Sequence, residues 1–148
     1  MNHEQLGPPG ITIGGLQIWV HGRTPSDSPA SLSDWLTLTA HCGGEGADVW
    51  VHGQILMLSE IRRWVEDCER ARQHLSSRAE LGGVEPQLFV AMMVSDNLER
   101  VQVMVSITPD YLRQQHKFMF ELEQSYITTM IREGKTVLSN LGYKVDTP

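Results

Sequence analysis

The run Asp34-Trp35-Leu36-Thr37-Leu38-Thr39-Ala40-His41-Cys42-Gly43-Gly44-Glu45-Gly46-Ala47-Asp48-Val49-Trp50-Val51-His52-Gly53 carries the fold in its parity. Leu36, Leu38, Ala40 and Cys42 alternate with Trp35, Thr37, Thr39 and His41, the period-two pattern of a strand that buries one face. Glycines at 43, 44 and 46 break the pattern, and a second strand follows over 47–55. A link this short predicts an antiparallel hairpin. Upstream, residues 11–21 alternate in the same way, with Leu16, Ile18 and Val20 opposite Gln17, Trp19 and His21. Gly14-Gly15 interrupts this strand as a bulge or a short hairpin. Between the strands, residues 22–31 hold Pro25 and Pro29 among Ser and Asp and read as a loop. Trp19-Val20-His21-Gly22 returns as Trp50-Val51-His52-Gly53, an echo too short to signal duplication but suited to two similar strands.

Downstream the period changes from 2 to 3.6. Leu58, Ile61, Val65, Cys68 and Leu75 form one stripe, so a helix is predicted over 59–75 with Ser59 as N-cap and Glu60 near its positive end. Trp64 lies beside the stripe and is expected in the core. Gly82-Gly83 and Pro86 mark a break. Strands are predicted over 87–94, 100–108 and 114–122, joined by Ser95-Asp96-Asn97 and Thr108-Pro109-Asp110. A last helix spans 125–141, with Ser125 as N-cap, Gly142 as C-cap and Met130, Ile131, Val137, Leu138 and Leu141 inward. Gly134 inside it lowers helix propensity by about 1 kcal/mol relative to Ala. The order β-β-β-α-β-β-β-α does not suit a parallel sheet. It predicts an α+β fold: one antiparallel sheet of about six strands with two helices against one face.

The chain has 148 residues, 41% hydrophobic and 20% charged, which fits one domain with a loose segment at 1–10 and argues against disorder. A net charge of −6 argues against nucleic acid or an anionic membrane as a direct partner. The first residues lack the basic and apolar regions of a secretory signal, and two cysteines make no disulfide framework, so a reducing cytosol is the expected compartment. The charge is uneven. Up to Glu60 there are six acids (Glu4, Asp27, Asp34, Glu45, Asp48, Glu60) against Arg23 alone; from Ile61 there are twelve acids and eleven bases. That segment would attract a basic partner if its acids form one patch, and otherwise serves solubility.

The face opposite the core is unusually apolar. Trp19, Trp35 and Trp50 share it, joined by Met92, Met104 and Met119. Either the fold covers these side chains, or they form a contact surface for a partner protein or a second copy, or they line a ligand cavity.

Signs of chemistry are sparse. His21, His41 and His52 share the Trp parity, but His41 and Cys42 point oppositely and no HxH, HExxH or CxxC spacing occurs, so no metal is expected. Cys42 and Cys68 sit on apolar stripes as buried, inert thiols. GxSxG, GxGxxG and P-loop motifs are absent, and no cofactor is expected. The carboxylates Glu66/Asp67/Glu69 lie on a solvated helix face and Glu121/Glu123 share a strand face with Met119, and no general acid–base role is expected of either set. An enzyme would need a pocket where one of the three histidines meets Asp34 or Asp48.

Three segments together resemble the WapI-type immunity proteins of bacterial contact-dependent toxin systems. They are Asp34-Trp35-Leu36-Thr37-Leu38, Glu85-Pro86-Gln87-Leu88-Phe89, and Phe118-Met119-Phe120-Glu121-Leu122 leading to Gln124-Ser125-Tyr126. Asp34 departs from the family's frequent Asn, and the usual Pro soon after the last helix is absent here. The resemblance implies a non-enzymatic protein that neutralises a cognate toxin domain by binding it. Such toxins are often nucleases with basic clefts. The partner-binding candidates are then Asp27, Asp34, Glu45 and Asp48, with Trp19 and Trp50 as apolar anchors. Asp34 has a second reading, in which it holds the preceding loop by accepting backbone N–H bonds. The alternative to a toxin partner is a homo-oligomeric interaction domain.

Overall fold

The computed structural model describes residues 5–95 and 99–145. Residues 1–4 of the expected loose segment, and Asp96 and Asn97 of an expected turn, lie outside the described residues. Among the described residues there are eight strands and two helices: β1 (Ile11–Ile13), β2 (Leu16–Thr24), β3 (Trp35–Gly44), β4 (Ala47–Met57), α1 (Leu58–Arg72), β5 (Arg78–Gly82), β6 (Leu88–Val94), β7 (Arg100–Ile107), β8 (Lys117–Glu123) and α2 (Tyr126–Asn140). The strands form two four-stranded antiparallel meanders, β1-β2-β3-β4 and β5-β6-β7-β8. Each meander is followed by a helix.

The α+β class is as expected, but the single sheet of about six strands is replaced by two sheets. Two features account for the difference. Gly14, at φ 58°, closes a hairpin that pairs Ile13 with Leu16, so the first predicted strand is two strands. The other is β5, whose Arg78-Ala79-Glu80-Leu81-Gly82 offers two apolar residues in five and too few alternations to register as a strand. With both counted, α1 separates two complete meanders.

The sheets and helices share one core. Ile18, Leu38 and Val51 come from the first sheet, Val90, Val103 and Val105 from the second, Ile61 and Trp64 from α1, and Met130 and Leu138 from α2. α1 packs along α2 and β5, and α2 also meets β1. Gly134 lets the helices approach: a Cβ there would stand 2.4 Å from Val65 Cγ2. Close packing explains a residue that propensity alone disfavours.

Local expectations need three corrections. Ser59 is inside α1 and Met57 is its N-cap. No Ser cap is required, because Leu58 N–H donates to Asp34 O at 2.9 Å and Ser59 N–H to Leu32 O at 3.0 Å. Leu75 lies beyond the helix and is 61% exposed, so it does not extend the buried stripe. Met92 is fully buried; its neighbour Met93 takes the outer face. Trp64, Cys42 and Cys68 are buried as expected.

Candidate partner-binding face

The outer face of the first sheet is built by parity. β2 and β4 flank β3, so each β3 residue has a neighbour on both sides. Thr39 lies between Trp19 and His52, and His41 between Gln17 and Trp50. The echoed Trp-Val-His-Gly segments therefore place their aromatic rings together, one register step apart. Trp19 and Trp50 stack with centroids 5.8 Å apart and planes 14° apart. His41 lies over Trp50 at 4.2 Å. His21 and His52 approach to 5.8 Å, and Thr39 Oγ1 sits between them, 2.8 Å from His21 Nε2 and 2.9 Å from His52 Nδ1. One hydroxyl proton allows donation to at most one ring, so the other ring donates to the oxygen. His41 Nδ1 meets Gln17 Oε1 at 3.0 Å, and Nε2 is hydrogen-bonded to the Asp48 carboxylate. The three histidines thus divide into a His21–Thr39–His52 bridge and a His41–Asp48 pair. They form no metal cluster: no group of three or more His, Cys, Asp or Glu fit to hold a metal occurs among the described residues.

The two Trp anchors differ in access. Trp19 is 8% exposed, and its indole Nε1 donates to Gly7 O at 2.9 Å across the top of the sheet. Gly10 N–H donates to Ile18 O at 2.9 Å, so residues 7–10 run against β2. Trp50 is half-buried and Trp35 likewise. Between the segment ahead of β1, β2 and the end of α2 lies a cleft of about 550 Å³, lined by Leu6, Pro8, Trp19, His21, Arg23 and Leu141. Arg23 in its wall is committed to intramolecular oxygens: those of Leu141 at 3.0 Å, Pro25 at 2.6 Å, Asp34 at 3.2 Å, and Ser28.

Asp34 is 3% exposed. Its Oδ2 accepts Ser31 N–H at 2.9 Å and faces the Arg23 guanidinium. The carboxylate therefore closes the loop between β2 and β3, and it does not present a charge to the surface. Asp27, Glu45 and Asp48 are exposed. They do not form one patch. Glu45 and Asp48 occupy the β3–β4 hairpin; Asp27 lies in the loop before β3. The ten residues of β3 separate these ends by about 30 Å at ~3.3 Å per residue. Sequence reasoning put Gln17, Thr39 and His41 on the Trp side of their strands but did not name them among the partner-binding candidates. Their shared parity with Trp19 was a visible signal, but pairing partners require the register.

Burial pushes the Cys42 thiol up to about 12 and the Cys68 thiol still higher, so neither is a nucleophile at neutral pH.

The face thus combines stacked aromatics, side chains pinned by their neighbours, and His41 with both ring nitrogens occupied. The chain belongs to the WapI-like immunity protein family, whose model matches residues 9–142. No curated protein matches it in sequence. Among solved structures it is similar to WHY3 from Arabidopsis thaliana, at 13% identity and a TM-score of 0.48 over 88% of this chain and 85% of that one. It is also similar to the plant transcriptional regulator PBF-2, at 11% identity and a TM-score of 0.44 over 88% and 87%. A third likeness is to the CdiA-CT/CdiI toxin and immunity complex from Enterobacter cloacae, at 10% identity and a TM-score of 0.43 over 82% and 99%. Likenesses at this level bear on neither partner nor activity.

Proposed function

We propose that this protein is a non-enzymatic immunity protein that binds and neutralises a cognate toxin domain in the cytosol. The observation that carries the reading is the family match across residues 9–142. The geometry supports it. The outer face of the first sheet offers half-buried Trp50 stacked on Trp19 and His41, with exposed Asp48 and Glu45 at one end. An aromatic centre with a charged rim is the usual anatomy of a protein interface. We assign Trp50, Asp48 and Glu45 to the contact and Asp27 to its far rim. Trp19 stacks against Trp50 and is itself nearly buried, and Asp34 shapes the loop. Acidic rim charges suit a basic toxin surface, such as a nuclease cleft, and act mainly on the rate of encounter. The experiment is co-expression with each candidate toxin domain from the same genome, starting with any that an adjacent gene encodes. Growth rescue together with a purified complex is the expected result; failure of every candidate toxin domain from the same genome to bind the chain would overturn it.

A further inference from the structure

We propose that the free edge of β8 pairs with the β8 edge of a second copy of this chain, antiparallel and centred on Met119. β8 is the end strand of the second sheet and pairs with β7 over seven residues without a register shift. The other edges are blunted. β1 has three residues and its Thr12 N–H is taken by Glu133 Oε1 at 3.0 Å; β4 turns through Gly53 at φ 142°; β5 is packed against α1. A long regular edge presents unpaired backbone groups that invite another strand. Their direction follows from the ladder. Ile107 N–H donates to His116 O at 3.1 Å, which makes Ile107 and His116 a hydrogen-bonded pair. Alternation then turns the backbone groups of Phe118, Phe120 and Leu122 toward β7 and those of Lys117, Met119 and Glu121 outward.

The side chains select the partner and the register. In an antiparallel pair centred on Met119, each Lys117 stands opposite Glu121 of the other copy, and Met119 stands opposite Met119. Phe118 faces Phe120 on the inner side. A protective edge carries charges that repel a second copy, whereas Lys117 and Glu121 attract one across the two-fold axis. Glu121 already faces Arg100 loosely at 3.7 Å, so the incoming lysine completes a row of alternating charge. Met119 is 66% exposed and is paired with Met104 in the ladder. The two-fold joins both methionine pairs into one apolar stripe and covers side chains that the single copy leaves in water. This surface lies on the other sheet from the proposed toxin contact, so the two proposals stand or fall separately.

The test is sedimentation velocity of the full chain across micromolar concentrations, with circular dichroism as the check on folding. The expected result is a reversible dimer. Met119→Lys should abolish it while the monomer stays folded. Lys117→Glu and Glu121→Lys should each weaken it on the order of tenfold, because like charges then meet at two symmetric positions. The double variant K117E/E121K should restore it. A wild-type chain that remains monomeric, a Met119→Lys dimer of unchanged affinity, or a double variant no better than the singles would each overturn the proposal.

Discussion

Replacing Asp34 with Ala isolates the device that holds the long loop of the first sheet. The carboxylate is buried, accepts Ser31 N–H at 2.9 Å and pairs with Arg23 at 3.2 Å. Breaking a buried ion pair from one side costs about 3–5 kcal/mol when the remaining charge has no other partner. Here Arg23 keeps the carbonyl oxygens of Pro25, Ser28 and Leu141, which offset part of that loss. The Ser31 N–H loses a charged acceptor, a bond of about 1.5–3 kcal/mol. The expected destabilisation is therefore about 2–3 kcal/mol, or a fall of about 5–10 °C in Tm for a chain of this length. Denaturant unfolding of Asp34→Ala, Arg23→Ala and the double variant should give a coupling energy of at least about 1 kcal/mol. Asp27→Ala, in the same loop but exposed, should change stability by less than about 0.5 kcal/mol. An Asp34→Ala protein as stable as the parent would refute the loop-holding role and return Asp34 to the surface candidates.

Gly134→Ala should destabilise the fold by about 1–2 kcal/mol in thermal unfolding, since the clash with Val65 outweighs the helix-propensity gain of about 1 kcal/mol. The companion change Val65→Ala should make the pair less than additive. Cys42 and Cys68 should resist a thiol reagent at pH 8 in the native protein and react in denaturant. The same burial sets an alkaline limit. Unfolded thiols ionise near pH ~8.5, whereas the folded Cys42 thiol holds its proton to about 12. The unfolded state thus binds fewer protons in that window, and stability should decline as pH rises through it. Trp19→Ala should lower stability by about 3 kcal/mol, because the ring is 8% exposed and holds the Gly7 carbonyl.

Much of this molecule is legible in its sequence, and the limits have physical causes. The parity of residues 35–57 places the Trp and His side chains on one face without any structure, because a strand has a period of two. The α1 stripe and the inward side of α2 follow from the helical period in the same way. Strand count fails where local signals are shortest. β1 and β5 have three and five residues, and their pairing is imposed by neighbours rather than by their own alternation. Met92 is misplaced because β6, Leu88-Phe89-Val90-Ala91-Met92-Met93-Val94, is apolar throughout and leaves parity ambiguous. Ser59 is misread as a cap because carbonyls from a loop more than twenty residues upstream satisfy the helix start. The loop-holding reading of Asp34, which precedes a strand start, is open in the sequence, and Asp48 has no such reading. Only the fold buries one beside Arg23 and leaves the other exposed beside His41.

The toxin contact proposed on the outer face of the first sheet rests on Trp50 and on the hairpin carboxylates Glu45 and Asp48. The most direct test measures association and dissociation rates of the toxin domain found by co-expression with the parent, Trp50→Ala and the double reversal Glu45→Lys/Asp48→Lys, at low and high salt. Trp50→Ala should speed dissociation about 30-fold, the equivalent of about 2 kcal/mol from one aromatic anchor. The charge reversal should slow association at low salt and flatten its salt dependence. A toxin domain that binds both variants with the parent's rates would show that this face is not the site of neutralisation.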